Sequence, residues 1–245
     1  ANGEYREAVR LIKDVFPLPA SIGRVCPHPC ETKCRRGIVD EPVSIAYLKG
    51  FLGDLDIAGD TYMPEVLPDT GKTVAVIGGG PARLTAAYHL RRMGHWVTIY
   101  EQMEKMGGML RYGIPEYRLP KAILDKEIEN IGKMGVRFMN SVNIGRDVTL
   151  SHLRNANDAA LITVGAWEST KMGVPGEDLP EVIGGIDFLR AAALGENPLM
   201  RKTVAIVGGG NTAMDACRTA VRLGAEKVYD IYRRTRAEMP AEAIE

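Results

Sequence analysis

Residues 73–80 read TVAVIGGG and residues 203–210 read TVAIVGGG, two copies of a short β-branched run closed by three glycines. A stretch of helix-like composition follows each copy. Such a unit brings backbone N–H groups and a helix N-terminus up to a pyrophosphate, so the chemistry on offer is dinucleotide binding, twice over. One glycine loop alone is equally a plain tight turn. The repeat, with a strand before and a helix after both times, favours the binding reading.

In the first copy, Gly78 and Gly80 supply the tight turn and the close backbone approach, and Pro81 and Ala82 open the helix behind them. Glu101 stands at the end of the next strand, about 20 residues on, where a carboxylate accepts hydrogen bonds from ribose hydroxyls and repels an added 2′-phosphate. FAD or NAD is therefore expected here in preference to NADP. One position departs from the fingerprint: Arg83 stands where the third glycine belongs. That glycine lets the helix pack closely on the strand, and an arginine there pushes the helix outward at roughly 1–3 kcal/mol. The alternative is that its guanidinium bends toward the pyrophosphate and compensates in part. In the second copy the loop residues are Gly208, Gly210, Asn211 and Thr212, with Ala213 at the third position. Arg233 and Arg234 replace the strand-end acid. Guanidinium forks match a phosphate dianion, so this loop reads as an NADP(H) site.

A third group is the run Cys26-x3-Cys30-x3-Cys34 on a proline-stiffened segment. In a reduced compartment that spacing favours a metal or cluster over disulfides. An iron–sulfur cluster takes about four thiolates and three are present. Zinc also lacks a clear fourth ligand; His28 between the cysteines could ligate, but a lone surface histidine is the commoner case. Cys217 reads as a small core residue of a helix. The histidines at 28, 89, 95 and 152 form no visible triad, so no side chain is named as catalytic. Met103, Met106 and Met109 read as packing residues. A disulfide reductase of the flavin type needs a redox Cys-x-x-Cys pair, and the sequence has none.

The elements that must position these groups follow from periodicity and turn chemistry. Residues 1–66 read as mostly helical and punctuated by prolines, and 63–71 as a linker. A strand at about 73–77, a helix from 82 to 93 closed by Gly94 and a strand at 96–100 make one βαβ unit. Residues 107–120 are rich in glycine and proline. A helix is expected near 121–134, a short strand at 136–139, a buried strand over 159–166 and a loop at 173–180. The second unit has a strand from Thr203, a helix at 212–223 and a strand at 228–232. The fold class is α/β: two Rossmann-like dinucleotide-binding units preceded by a small helical domain. The domains are read as 1–66, 72–200 and 201–245.

The 245 residues carry 31 basic and 31 acidic side chains, which removes the charge footprint of a nucleic-acid binder. No apolar run reaches the length of a membrane span and no start resembles a secretion signal, so a cytoplasmic setting is expected. Both ends read as truncated: the first residues look like the middle of a helix and the last stop without a closing element.

The segments GRVCPHPCETKC, GGMLRYGIPEYRLPK, GVPGEDLP, GGGNTAMDACRTAVRLGA and YRRTRAEMPA together resemble the small (beta) subunit of glutamate synthase and its relatives. Those relatives include the N-terminal half of dihydropyrimidine dehydrogenase and NADPH-dependent ferredoxin oxidoreductases. The resemblance implies an FAD domain with an inserted NADPH domain, preceded by a helical domain with two [4Fe-4S] clusters. It implies FAD contacts at Gly78, Gly80, Glu101, Gly108, Met109, Arg118 and Gly165. NADPH contacts are implied at Gly210, Asn211, Thr212, Arg233 and Arg234, and cluster ligands at Cys26, Cys30 and Cys34. The implied activity is electron flow from NADPH through FAD and clusters to a larger catalytic subunit or acceptor protein. Ile22 stands where relatives often have a further cysteine. With Arg83, it leaves an alternative: a non-catalytic binding or assembly module of the same fold.

Overall fold

The computed structural model describes residues 3–241, so the expectations about the outermost residues at each end lie partly outside the described residues. The chain forms two compact units. The first holds residues up to 111 together with 117–165, and the second holds 112–116 together with the residues from 166 onward.

The first unit begins with helices α1 (Tyr5–Lys13), α2 (Pro19–Val25), α3 (Pro29–Thr32) and α4 (Ile45–Ala58). α2 and α4 cross at backbone contact. A Cβ on Gly23 would strike the Gly50 backbone, and one on Gly53 would strike the Ala20 backbone. Lys13 and Asp56 form a buried ion pair between α1 and α4, and Lys13 Nζ also donates to the Tyr62 carbonyl at 2.9 Å.

A four-stranded parallel sheet follows, built from β1 (Thr73–Ile77), β2 (Trp96–Tyr100), β3 (Arg137–Met139) and β4 (Ala159–Ile162). Its order is β3-β2-β1-β4, the order of a doubly wound nucleotide-binding sheet with the glycine-bearing strand inside. Between the strands run α5 (Pro81–Arg92), α6 (Met109–Tyr112), α7 (Lys121–Lys133) and α8 (Leu150–Ala156). Pro81 at the first turn has no N–H to leave unpaired, and Gly94 at φ +86° turns the chain out of α5. β1 is almost wholly buried, as a central parallel strand should be. The linker expected at 63–71 is tied down: Leu67 N–H donates to the Arg92 carbonyl at 2.9 Å, and Trp96 Nε1–H to Asp69 at 2.7 Å.

One expectation is corrected. The run at 159–166 was expected to be a buried strand, but the strand covers only Ala159–Ile162, and Ile162 is 53% exposed. β4 pairs with β1 on one side only, so among the described residues it is a sheet edge. An apolar run marks burial on average and does not distinguish a centre from an edge.

The second unit holds α9 (Gly185–Ala193), β5 (Thr203–Val207), α10 (Asn211–Arg222) and β6 (Lys227–Ile231). β5 and β6 are parallel with α10 as their crossover. Phe188 and Leu189 of α9 pack on Ala216 and Ala220 of α10, so residues 166–200 group with this unit.

Candidate functional site

The first glycine loop sits at the C-terminal end of β1, where ligands bind in open α/β sheets. Gly78, at φ +102°, donates its N–H to the Tyr100 carbonyl at 2.7 Å. Gly79 donates to Glu101 Oε2 at 2.5 Å and accepts from the Gly107 N–H at 2.8 Å. Gly80 is the residue before the first turn of α5. The loop that carries Gly107 and Gly108 lies against it: a Cβ on Gly108 would stand 2.7 Å from the Gly80 Cα. Four of the expected cofactor contacts, Gly78, Gly80, Glu101 and Gly108, are thus brought together, with Pro81 and Ala82 at the helix start and Met109 opening α6. Arg118 is half-buried in the segment that leads into α7, and Gly165 is exposed at φ +79° beyond β4.

Glu101 is 3% exposed, and its other oxygen accepts the Met103 N–H at 2.8 Å. Its carboxylate therefore ties the glycine loop to the turn after β2. Arg83 is the residue that departs from the fingerprint. Its side chain folds back over the loop, with the guanidinium against Gly78 and Gly80. Burial lowers its pKa from the ordinary value, and attraction to Glu101 opposes that shift.

Two buried charged residues that periodicity did not single out tie segments of the first unit together, one of them beside this loop. Arg111, 8% exposed, donates from Nε to the Met106 carbonyl at 2.5 Å and pairs with Asp125. Met106 itself packs beneath Gly79, as expected of a packing methionine. Glu127 of α7 is 1% exposed and accepts the N–H groups of Ala20 at 2.7 Å and Ser21 at 3.0 Å. An acid on the apolar stripe of Leu124, Ile128 and Ile131 was the available signal for it.

The second loop repeats the plan with different chemistry. Gly208, at φ +148°, donates to the Ile231 carbonyl at 3.0 Å. A Cβ on Gly209 would stand 2.7 Å from the Tyr232 ring, whereas one on Gly210 would meet nothing within 4 Å. The loop is thus packed on one face and open at the residue that precedes Asn211 and Thr212. Ala213 at the third position stands 3.2 Å from where a Gly208 Cβ would be, which a methyl accepts and a larger group would not. Arg233 and Arg234 are exposed beyond β6, and among the described residues neither guanidinium has an ion-pair partner.

The cysteines are held differently. Cys26 ends α2, Cys30 is exposed on α3 and Cys34 follows it. Backbone amides of Val43 and Arg36 lower the Cys34 thiol below its usual range. Among the described residues no three His, Cys, Asp or Glu side chains converge as a metal site, so the three cysteines are not brought together as one ligand set. Cys217 lies half-buried in α10, and burial pushes its thiol up to about 11.

For a dinucleotide the residues fit. Each loop offers a glycine whose absent side chain leaves room, a helix N-terminus behind it and a charged residue after the next strand. A parallel 3-2-1-4 sheet with such a loop on its inner strand defines a dinucleotide-binding α/β protein. The profile of the pyridine nucleotide-disulphide oxidoreductases matches residues 72–245, and the chain belongs to that family. A second profile, described as dihydropyrimidine dehydrogenase domain II, 4Fe-4S cluster, matches residues 1–60.

Among curated relatives, the NADP(+)-dependent formate dehydrogenase subunit beta of Moorella thermoacetica is 45% identical over 100% of this chain and 38% of its own length. The NADPH-Fe(3+) oxidoreductase subunit beta of Geobacter sulfurreducens is 45% identical over 99% of this chain and 37% of its own. The glutamate synthase [NADPH] small chain of Mycobacterium tuberculosis is 36% identical over 93% of this chain and 50% of its own. The chain therefore spans between about a third and half of the length of these relatives. Each of these relatives is an oxidoreductase subunit or chain whose name carries NADP(+) or NADPH. Among solved structures, FprA of Mycobacterium tuberculosis matches with a TM-score of 0.61 at 23% identity, over 73% of this chain and 46% of that one. That likeness supports the fold. No described helix is long and apolar enough to cross a membrane.

Proposed function

We propose that this chain is the nucleotide-binding part of an NADPH-dependent flavin oxidoreductase subunit. The observation that carries the reading is the contrast between the two loops. A buried acid follows the first, and an exposed arginine pair follows the second. Glu101 presents carboxylate to a ribose and excludes a 2′-phosphate, which suits FAD. Arg233 and Arg234 offer forks to a 2′-phosphate, which suits NADPH. Gly78, Gly80 and Gly108 let backbone approach a pyrophosphate. The N–H groups at the starts of α5 and α10 add the positive end of a helix dipole. When bound, the flavin supplies hydride acceptance and single-electron release, and the protein supplies position and electrostatics. No acid or base is assigned.

The finer part of the reading is a relay onward to an iron–sulfur cluster and a larger partner subunit, in a reduced, cytoplasmic setting. It rests on the profile over residues 1–60 and on the subunit names of the relatives. Because the cysteines do not converge, no electron-transfer step is assigned to them. The test is an absorbance spectrum of the purified protein reconstituted with FAD, followed by anaerobic titration with NADPH and with NADH. Retained flavin, bleached by NADPH and not by NADH, is expected. A folded preparation that takes up no flavin overturns the reading in favour of a non-catalytic module.

A further inference from the structure

Arg83 occupies the third fingerprint position of the first loop and is 6% exposed. It does not run outward along α5. A Cβ built on Gly78 would stand 2.7 Å from its Nε and 3.0 Å from Cζ and Nη2, and one built on Gly80 would stand 2.8 Å from Nη1. The guanidinium thus lies across the two glycines whose bareness makes the cradle. Its Nε and Nη2 are buried with no hydrogen-bond partner. Glu101 attracts it through space, but the Gly79 and Met103 amides already bind that carboxylate's two oxygens. Thr163 Oγ1 is a further buried atom without a partner. It lies just past β4, where the Thr163 N–H meets the Ile77 carbonyl at 3.4 Å, beside the end of β1. Three polar atoms at the C-terminal ends of neighbouring strands therefore lack partners.

Burying a charge is strongly unfavourable unless it is paired, and a guanidinium is never neutral at ordinary pH. A cation held this way, with two idle donors at a helix N-terminus, is half of an ion pair. We infer that Arg83 is a direct ligand of the diphosphate in the first cradle, gripping phosphate oxygens where a glycine would leave only backbone. The inference rests on the reading that this cradle takes a dinucleotide, and it names the residue and the group that residue holds. Nη1 stands at the face of Gly80, where the second glycine of the fingerprint leaves room for the pyrophosphate. An incoming phosphate therefore meets the guanidinium first. The planar fork suits two phosphate oxygens, and the site gains a whole positive charge that the usual fingerprint lacks. The same charge makes binding more salt-sensitive than backbone donors alone would.

The test compares the full chain with Arg83→Gly, which restores the fingerprint glycine, and with Arg83→Gln, which keeps length without charge. FAD, ADP and adenosine are titrated by calorimetry at two salt concentrations, and thermal midpoints are read with and without inorganic pyrophosphate. FAD and ADP are expected to bind about tenfold or more weaker to both variants. Adenosine, which lacks phosphate, should be unaffected, and the salt dependence of FAD binding should flatten. Equal or tighter FAD binding by Arg83→Gly would overturn the inference, because Arg83 would then be a plug in the cradle. If no protein binds FAD, the functional reading fails on its own. The inference then stands if pyrophosphate raises the midpoint of the parent chain and not of Arg83→Gln, and falls if it raises neither.

Discussion

Gly79 donates its amide to Glu101 at 2.5 Å, so the acid after β2 is part of the glycine loop itself. The Met103 amide takes the other carboxylate oxygen. This acid holds its own loop, and in the function proposed above it also faces a ribose. Replacing Glu101 with alanine orphans two amides in a buried place and should destabilise the first unit by about 2–4 kcal/mol in denaturant unfolding. Glu101→Gln keeps one acceptor and should lose less stability while weakening FAD binding about tenfold. Loss of stability without loss of binding in the glutamine variant would show that only the structural task is real.

Gly108 and Gly80 meet backbone to backbone. A methyl at position 108 would stand 2.7 Å from the Gly80 Cα at φ +53°, with no flexible side chain to give way. Gly108→Ala should therefore lower stability by about 3 kcal/mol, from the left-handed backbone and the clash together. A methyl at Gly80 is crowded by the far end of Arg83 and meets the Gly108 Cα at an ordinary 3.8 Å, so Gly80→Ala should unfold at nearly the parent denaturant concentration. Equal midpoints for the two variants would refute this picture of the loop contact.

The two βαβ units were legible because β-branched runs, glycine loops and helix closures are local signals. Gly94 sits at positive φ where a helix stop was expected, and the charged residues follow β2 and β6 as counted. What was not legible is non-local. Spacing cannot say which way a long side chain folds, and the placement of the Arg83 guanidinium over Gly78 is such a feature. Glu127 caps α2 from 107 residues away, and no window of sequence joins the two. The crossing of α2 and α4 depends on Gly23 and Gly53 meeting backbone, which composition does not reveal. The even spacing of Cys26, Cys30 and Cys34 suggested one ligand set, but spacing sets the separation along the chain and not the direction of a thiol.

Arg233 and Arg234 are the residues proposed above to favour NADPH. Both are exposed, so their attraction to a 2′-phosphate is screened by solvent and salt. Arg233→Ala should weaken NADPH about tenfold and the double variant about a hundredfold, with NADH unchanged. Isothermal titration of both nucleotides checks this. A parallel loss of NADH would mean that the arginines support the fold of the loop rather than read the phosphate.

Glu127 makes stability depend on pH in a definite direction. Burial pushes its carboxyl up to about 7, against the stabilising pull of Ser21, Ala20 and Lys13. An acid whose folded pKa exceeds its unfolded one takes up a proton on folding between the two values. Its contribution is therefore present in full below about 4.5 and is lost as pH rises through about 7. Over that window the parent chain should lose about 3 kcal/mol relative to Glu127→Gln, which does not titrate. Denaturant unfolding of both proteins from pH 4.5 to 8 measures the difference directly. A flat difference would mean that the carboxyl is not shifted. The α2 helix that Glu127 caps ends at Cys26, so the same rise in pH should loosen its docking and speed thiol labelling there. Because thiols react faster as thiolates, the comparison is again against Glu127→Gln, and only the excess rate in the parent chain reports the cap.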